Sequence, residues 1–366
     1  MKIRQEDIRD LSRGAALLGA GGGGDPYIGS LMLENVLADG RSVELIGLDA
    51  LTDDMPVIPV AMMGAPTVLL EKFPNGSEAE RVLRKVENIL GYPAEAVIAA
   101  EIGGGNALFP LMLGAMLGIP VVDGDGMGRA FPQLHMVTFN LFGVDISPMA
   151  MTDEHGNVVT IDGITGEHVE WLARHVVTAM GGSGVISLYP MTGVQAKQAT
   201  VPATISIAKE LGRCIRQARE AGEDPFHHLS DYLESTGVYG RPHELIDGKI
   251  IDLDRQTRAG FAVGKAIIAD AEHDELILEF QNENLVAARN GRAVAMVPDL
   301  ICVLDRETAE PVTTEALRYG QRVRVLAFRA PQVLTGDAAL DIWGPKAFGH
   351  DLVYQSVDEL NKSHGQ

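Results

Sequence analysis

The sequence predicts an α/β chain, α+β overall: an N-terminal α/β domain with βαβ units, followed by a smaller β-rich domain of barrel- or sandwich-like type. Three observations carry this. Residues 96–123 run strand, glycine loop, helix, strand, which is the length of a parallel βαβ crossover. Several further stretches carry apolar residues at helical spacing. After Gly240 the texture changes to short β-branched runs separated by polar turns, the pattern of a small antiparallel barrel or sandwich.

Taken in order, Ile8, Leu11, Ala15 and Leu18 mark a first helix that stops at the glycine run Gly19–Gly24. Asp25-Pro26 is a good cap and first-turn pair for a second helix carrying Ile28, Leu31, Met32 and Val36. Strands are expected at 43–48 and 57–63, and Val82, Val86, Ile89 and Leu90 give an amphipathic helix at 78–90. The crossover unit follows as strand 96–101, loop Gly103–Asn106, helix 107–117 and strand 119–123. Residues 136–161 are strand-rich, with a turn at Asp153–Asn157, and helices are expected at 167–180, 203–221 and 225–235. Short strands are expected at 249–253, 261–269, 275–280, 293–297, 300–304 and 322–328. The resulting division is 1–240, 241–330 and a C-terminal tail, 331–366, that packs back near the cleft. A chain of 366 residues suits about two domains.

A formal net charge of −20 argues against nucleic acid and anionic membrane surfaces as partners, since both are bound through clustered Lys and Arg. Cys214 and Cys302 stand far apart and form no metal or redox motif, which suits a reducing, cytoplasmic setting. No apolar run is long enough to span a bilayer, and none has the form of a secretory signal. The expected partners are therefore a small-molecule substrate and, from Met-rich apolar runs such as 111–117, further copies of the chain in a homo-oligomer.

Chemistry concentrates just past the strands of the crossover unit, where ligands bind in open α/β sheets. Asp123, Asp125 and Arg129 alternate there with glycines in Pro120–Pro132, and Glu101 ends the neighbouring strand. If the three carboxylates converge, they suit a divalent cation, with His135 as a further ligand; otherwise one serves as a general base. Arg129 either pairs with Asp125 or holds a substrate carboxylate. Gly22, Gly23 and Asp25 form either a tight interhelical turn or a cradle of free N–H groups. Gly104 and Asn106 belong to a second loop, where Asn106 is a helix N-cap or a ligand contact. Asn282 and Asn284, within Gln281–Leu285, form a polar hairpin turn or a recognition edge, and His350 sits on a tail loop able to close over the cleft. The preceding helical pattern argues against a dinucleotide fingerprint at Gly21–Gly24, and the second loop lacks the Lys-Ser/Thr of a P-loop.

Gly19–Pro26, Glu101–Asn106 and Val122–Pro132, together with Pro298–Ile301 and Gly344-Pro345, resemble a bacterial and fungal family named after S-methyl-thiohydantoin desulfurase. That resemblance covers nearly the whole chain. It implies a hydrolase of hydantoin- or S-methyl-thiohydantoin-like five-membered rings, with water attacking a ring carbon, and a hydantoinase-like protein as a partner. The alternative is a non-catalytic binding or regulatory subunit of a hydantoinase-like system.

Overall fold

A computed structural model describes residues 1–64, 68, 72, 75–258 and 261–362. Its first sheet has the order β1-β2-β5-β4-β3-β8-β6-β7. The strands are β1 (Lys2–Ile3), β2 (Val43–Ile46), β3 (Pro56–Gly64), β4 (Ala96–Ala99), β5 (Val121–Asp125), β6 (Met149–Thr152), β7 (Val158–Ile161) and β8 (Ser183–Ser187). The central strands β2, β5, β4 and β3 are parallel, whereas β8, β6 and β7 add antiparallel edges. Two short strands, β9 (Met191–Thr192) on β3 and β10 (Val201–Pro202) on β5, complete it.

Eleven helices are present among the described residues. The first three are α1 (Ile8–Leu18), α2 (Tyr27–Val36) and α3 (Glu78–Leu90), followed by the crossover helix α4 (Leu108–Leu117). Leu108–Gly114 is buried throughout, so α4 is apolar on all sides, as a crossover helix enclosed by other elements should be. Next come α5 (Thr138–Leu141), α6 (Gly166–Ala179), α7 (Gly193–Ala199), α8 (Thr204–Ala221) and α9 (Pro225–Ser235). The chain closes with α10 (Asp337–Trp343) and α11 (Val357–Asn361). None of these helices is long and apolar enough to cross a membrane.

The second sheet is wholly antiparallel, in the order β15-β14-β13-β12-β11-β17-β16. Its strands are β11 (His243–Arg258), β12 (Phe261–Ala269), β13 (Glu275–Gln281), β14 (Glu283–Arg289), β15 (Arg292–Met296), β16 (Leu300–Asp305) and β17 (Arg322–Phe328). It curls into a half-barrel, and the curl carries β14 toward β16, where Asn284 Nδ2 donates to Ile301 O at 2.8 Å.

Two strands of the second sheet depart from the sequence expectation. β11 runs well past 253 because its far half is exposed, so charged residues such as Asp254, Arg255 and Arg258 sit in a ladder without cost. β14 occupies residues expected as a turn. Only Asn282, at φ 58°, makes the reversal, and its polar neighbours continue as strand.

Candidate active site

The two glycine loops pack on each other, backbone against backbone. Gly105 N–H donates to Gly23 O at 3.0 Å. A Cβ on Gly23, whose φ is +74°, would lie 2.3 Å from the Gly103 carbonyl carbon; one on Gly104 would lie 2.1 Å from Gly24 O. Gly23→Ala is therefore expected to cost about 2 kcal/mol or more, through strain at positive φ and displacement of the facing loop. Urea unfolding checks this, and a change below about 0.5 kcal/mol would contradict the contact.

Beside this junction lies a cavity of about 330 Å³. Its wall combines Gly23, Gly24 and Asp25 with the end of β3 (Met62–Gly64), Glu101, Asn106 and the segment 131–134. The second sheet contributes Asn282 and Glu283. Most of the remaining wall is apolar, including Met32, Met127, Phe109, Phe131 and Leu188. It is of ligand size and mainly apolar with a few converging polar groups, as small-molecule sites are.

Glu101 is the central polar group. It follows β4 and is buried, with Oε1 accepting from Asn106 Nδ2 and Oε2 lacking a partner among the described residues. Asn106 is clamped in turn: its Oδ1 accepts from Met62 N–H at 2.6 Å and its Nδ2 reaches Met62 O at 3.2 Å. Asn106 thus orients Glu101 and does not cap a helix. Burial pushes the Glu101 carboxyl up to about 8, with Asp125 adding to the rise, while Asn106, the nearby Phe131 N–H and Arg129 oppose it.

Glu283 is the second acid. It is buried at the start of β14, and its Oε2 also lacks a partner among the described residues. Burial first, and then the charge of Glu101, hold its carboxyl well above the usual range, while Arg129 opposes.

Several of the remaining sequence candidates bind main-chain groups away from the cavity. Asp125 is fully buried, and its Oδ2 accepts from the N–H groups of Ile102, Met127 and Gly128 at 3.0, 2.8 and 2.8 Å, which folds its own loop. Burial pushes its carboxyl up to about 7, with Thr204 and those N–H groups opposing. Asp123 turns away to the first turn of α8, accepting from Ser206 N–H at 3.0 Å and from the Ser206 hydroxyl at 2.5 Å. His135 is half-buried outside the cavity wall, where burial lowers its pKa. Asp123, Asp125 and His135 therefore do not converge, and no group of three His, Cys, Asp or Glu among the described residues is placed to hold a metal.

Arg129 does not pair with Asp125 and does not line the cavity. Its guanidinium is fully buried and donates to the carbonyls of Ala130, Pro298, Asp299 and Asn284 at 2.7–3.3 Å. Asn284 is likewise structural: its backbone N–H reaches Ala20 O at 2.8 Å. Asn282 lines the cavity while its Oδ1 accepts from Ala262 N–H at 2.8 Å. Asp25 Oδ1 accepts from Tyr27 N–H at 2.8 Å, opening α2, and Gly22 presses on Glu283, whose Oε1 would lie 2.1 Å from an added Cβ. His350 stands off the cavity. The tail instead packs behind the wall, where Trp343 stacks on the lining residue Phe131 at 5.4 Å.

Two wall residues escape sequence reasoning. Glu283 lies within the polar string Gln281–Leu285, where nothing local separates it from its amide neighbours. The other is Arg174 on α6, the one cation in the wall among the described residues. Its Nε donates to Glu170 at 2.8 Å, its Nη2 to Pro132 O at 3.0 Å, and its guanidinium lies 4.3 Å from the Phe261 ring centroid. A Glu and an Arg four apart on an expected helix are an ordinary pair, so no signal marked it.

Family models of the S-Me-THD-like N-terminal domain and the S-Me-THD-like C-terminal domain match residues 6–163 and 164–357. A crystal structure of a protein from Chromobacterium violaceum superposes with a TM-score of 0.82 at 23% identity, covering 98% of this chain and 100% of that one. At that identity the likeness is one of fold. No curated protein matches the chain.

Proposed function

From its membership in the S-Me-THD-like family, to which the chain belongs across residues 6–357, we propose that the protein hydrolyses a small five-membered cyclic amide or imide of S-methyl-thiohydantoin or hydantoin type. The observation that carries this reading is Glu101. It is a buried carboxyl in the wall of a ligand-sized cavity, held by Asn106 through one oxygen and unpartnered at the other.

A carboxyl poised near neutrality suits general acid–base work, because it exchanges protons in both directions at working pH. Glu101 takes a proton from water as the water oxygen attacks the ring carbon bearing sulfur. The carbon–sulfur bond then breaks, a thiol leaves, and the ring keeps a carbonyl in its place. The N–H groups of Gly23 and Gly24 face no acceptor among the described residues and are available to the oxygen that gains charge. The apolar wall accepts the flat ring and a methylthio group.

The test is thiol release from S-methyl-thiohydantoins, followed with a thiol reagent, with hydantoin identified by mass. Glu101→Gln is expected to lower kcat by about 10²–10⁴ with its fold intact. Wild-type kcat in that variant would remove Glu101 from the reaction. Tight ring binding by the wild-type chain, with neither thiol release nor ring opening, would instead identify a binding subunit.

A further inference from the structure

We infer that Glu101 and Glu283 work as one acid–base pair, acting on a ligand in the cavity from the two sheets. The inference rests on the hydrolase reading for its chemistry, although the pairing itself stands on the shared cavity and the two unpartnered oxygens.

Both side chains are almost wholly buried and line the same cavity, one from the loop after β4, the other from the start of β14. Each keeps one carboxylate oxygen, Oε2 in both cases, without a partner among the described residues. Buried polar atoms are nearly always satisfied, so two orphaned oxygens in one ligand-sized space point to a ligand that supplies both partners.

Charge limits how the pair is occupied. Glu101 faces Asp125, Arg129 and Glu283, and Glu283 faces Glu101, Arg129 and Glu315. Neither nearby cation is free to pair with them: Arg129 spends its N–H groups on main-chain carbonyls, and Arg174 in the wall spends its own on Glu170 and Pro132 O. Two ionised carboxylates in so apolar a wall would repel without a dedicated counter-charge. The pair therefore keeps at least one proton near neutrality, and the reactive form is the one in which Glu101 has released its own.

Such a pair balances the hydrolysis of a ring carbon doubly bonded to nitrogen and singly bonded to a methylthio group. Glu101 accepts a proton from water as the carbon–oxygen bond forms, and Glu283 donates its proton to the ring nitrogen. Glu283 then takes back the hydroxyl proton of the tetrahedral intermediate while Glu101 protonates the departing thiolate. Water is consumed, the thiol and the ring carbonyl are formed, and both side chains return to their starting states. The substrate class follows: a neutral ring offering a basic nitrogen beside the reacting carbon.

Two measurements test this. The first is the pH profile of kcat/KM for methanethiol release. In wild type it is expected to be bell-shaped, since activity needs one acid and one base. Glu283→Gln should lower kcat about 10²–10⁴-fold, remove the alkaline limb and move the acid limb to lower pH, because Glu101 loses a repelling neighbour. A Glu283→Gln variant with wild-type rate and profile overturns the pair.

The second measurement needs no substrate. Infrared difference spectra across pH steps report the protonated carboxyl stretch, and Glu101→Gln and Glu283→Gln assign it. Each substitution should shift the titration of the remaining glutamate downward, whereas an unshifted titration refutes the pairing even if the chain turns over no thiohydantoin. Conversely, coupled titration without turnover leaves the pair standing and removes the hydrolase reading.

Discussion

Arg129→Met is expected to cost the protein about 3–5 kcal/mol of stability, measured by urea unfolding, before any effect on catalysis can be read. The guanidinium is buried between the sheets, donating to Ala130 O at 3.0 Å and, across to the second sheet, to Pro298 O, Asp299 O and Asn284 O at 2.7, 2.8 and 3.3 Å. Methionine fills much of the volume but leaves these carbonyls dry and unpaired, which is the expensive half of losing a hydrogen bond. It also removes the positive charge that opposes the rise in Glu101 and Glu283, so both acids would hold their protons to higher pH. A substrate anchor would behave differently, raising KM on an unchanged fold. Arg129→Met folding within about 1 kcal/mol of wild type while KM rises would restore that anchoring role.

The contrast between Arg129 and Arg174 shows where sequence reading reaches and where it stops. Helix 78–90, helix 225–235 and the strand–helix–strand unit around Glu101 are legible because apolar spacing and glycine stops record burial directly. Glu101 is legible for a related reason: a carboxylate at the end of a buried strand has few structural excuses. Asp123, Asp125 and Arg129 draw attention through the same rarity, yet each pairs with main-chain N–H or C=O groups or with a helix terminus. Composition alone does not distinguish a buried charge that binds backbone from one that binds substrate. Glu283 was hidden by its amide neighbours, since which member of a polar string faces inward depends on where the turn falls. The turn at Asn282 decides that parity, and its position follows from pairing with β12, a long-range contact no local pattern contains. Arg174 is brought to the cavity by the docking of α6, and the aromatic it lies over, Phe261, is almost ninety residues away in the chain.

Glu101→Gln is expected to make the ligand-free protein more stable than wild type in alkaline solution and indifferent in acid. Burial raises the Glu101 carboxyl from an ordinary 4.5 to about 8, so the folded chain holds a proton that the unfolded chain has already released. For a carboxyl raised on folding, its contribution is complete below the unfolded value and erodes as pH rises, levelling only above the folded value. Between pH 4.5 and about 8 the wild-type protein therefore loses stability through this group. At about 1.4 kcal/mol for each tenfold change in proton affinity, the loss is on the order of 5 kcal/mol by pH 9. Asp125, raised to about 7, slopes the same way, so the two add in sign though not independently. Glutamine is neutral at every pH and can still accept from Asn106, so the variant should have a flatter profile and a higher Tm than wild type at pH 9, with the two nearly equal at pH 5. Denaturant unfolding at several pH values decides it. A variant equal to or weaker than wild type at pH 9 would mean that Glu101 ionises freely in the folded chain. Greater alkaline stability together with lost turnover would identify Glu101 as a residue whose burial costs the fold and serves the chemistry.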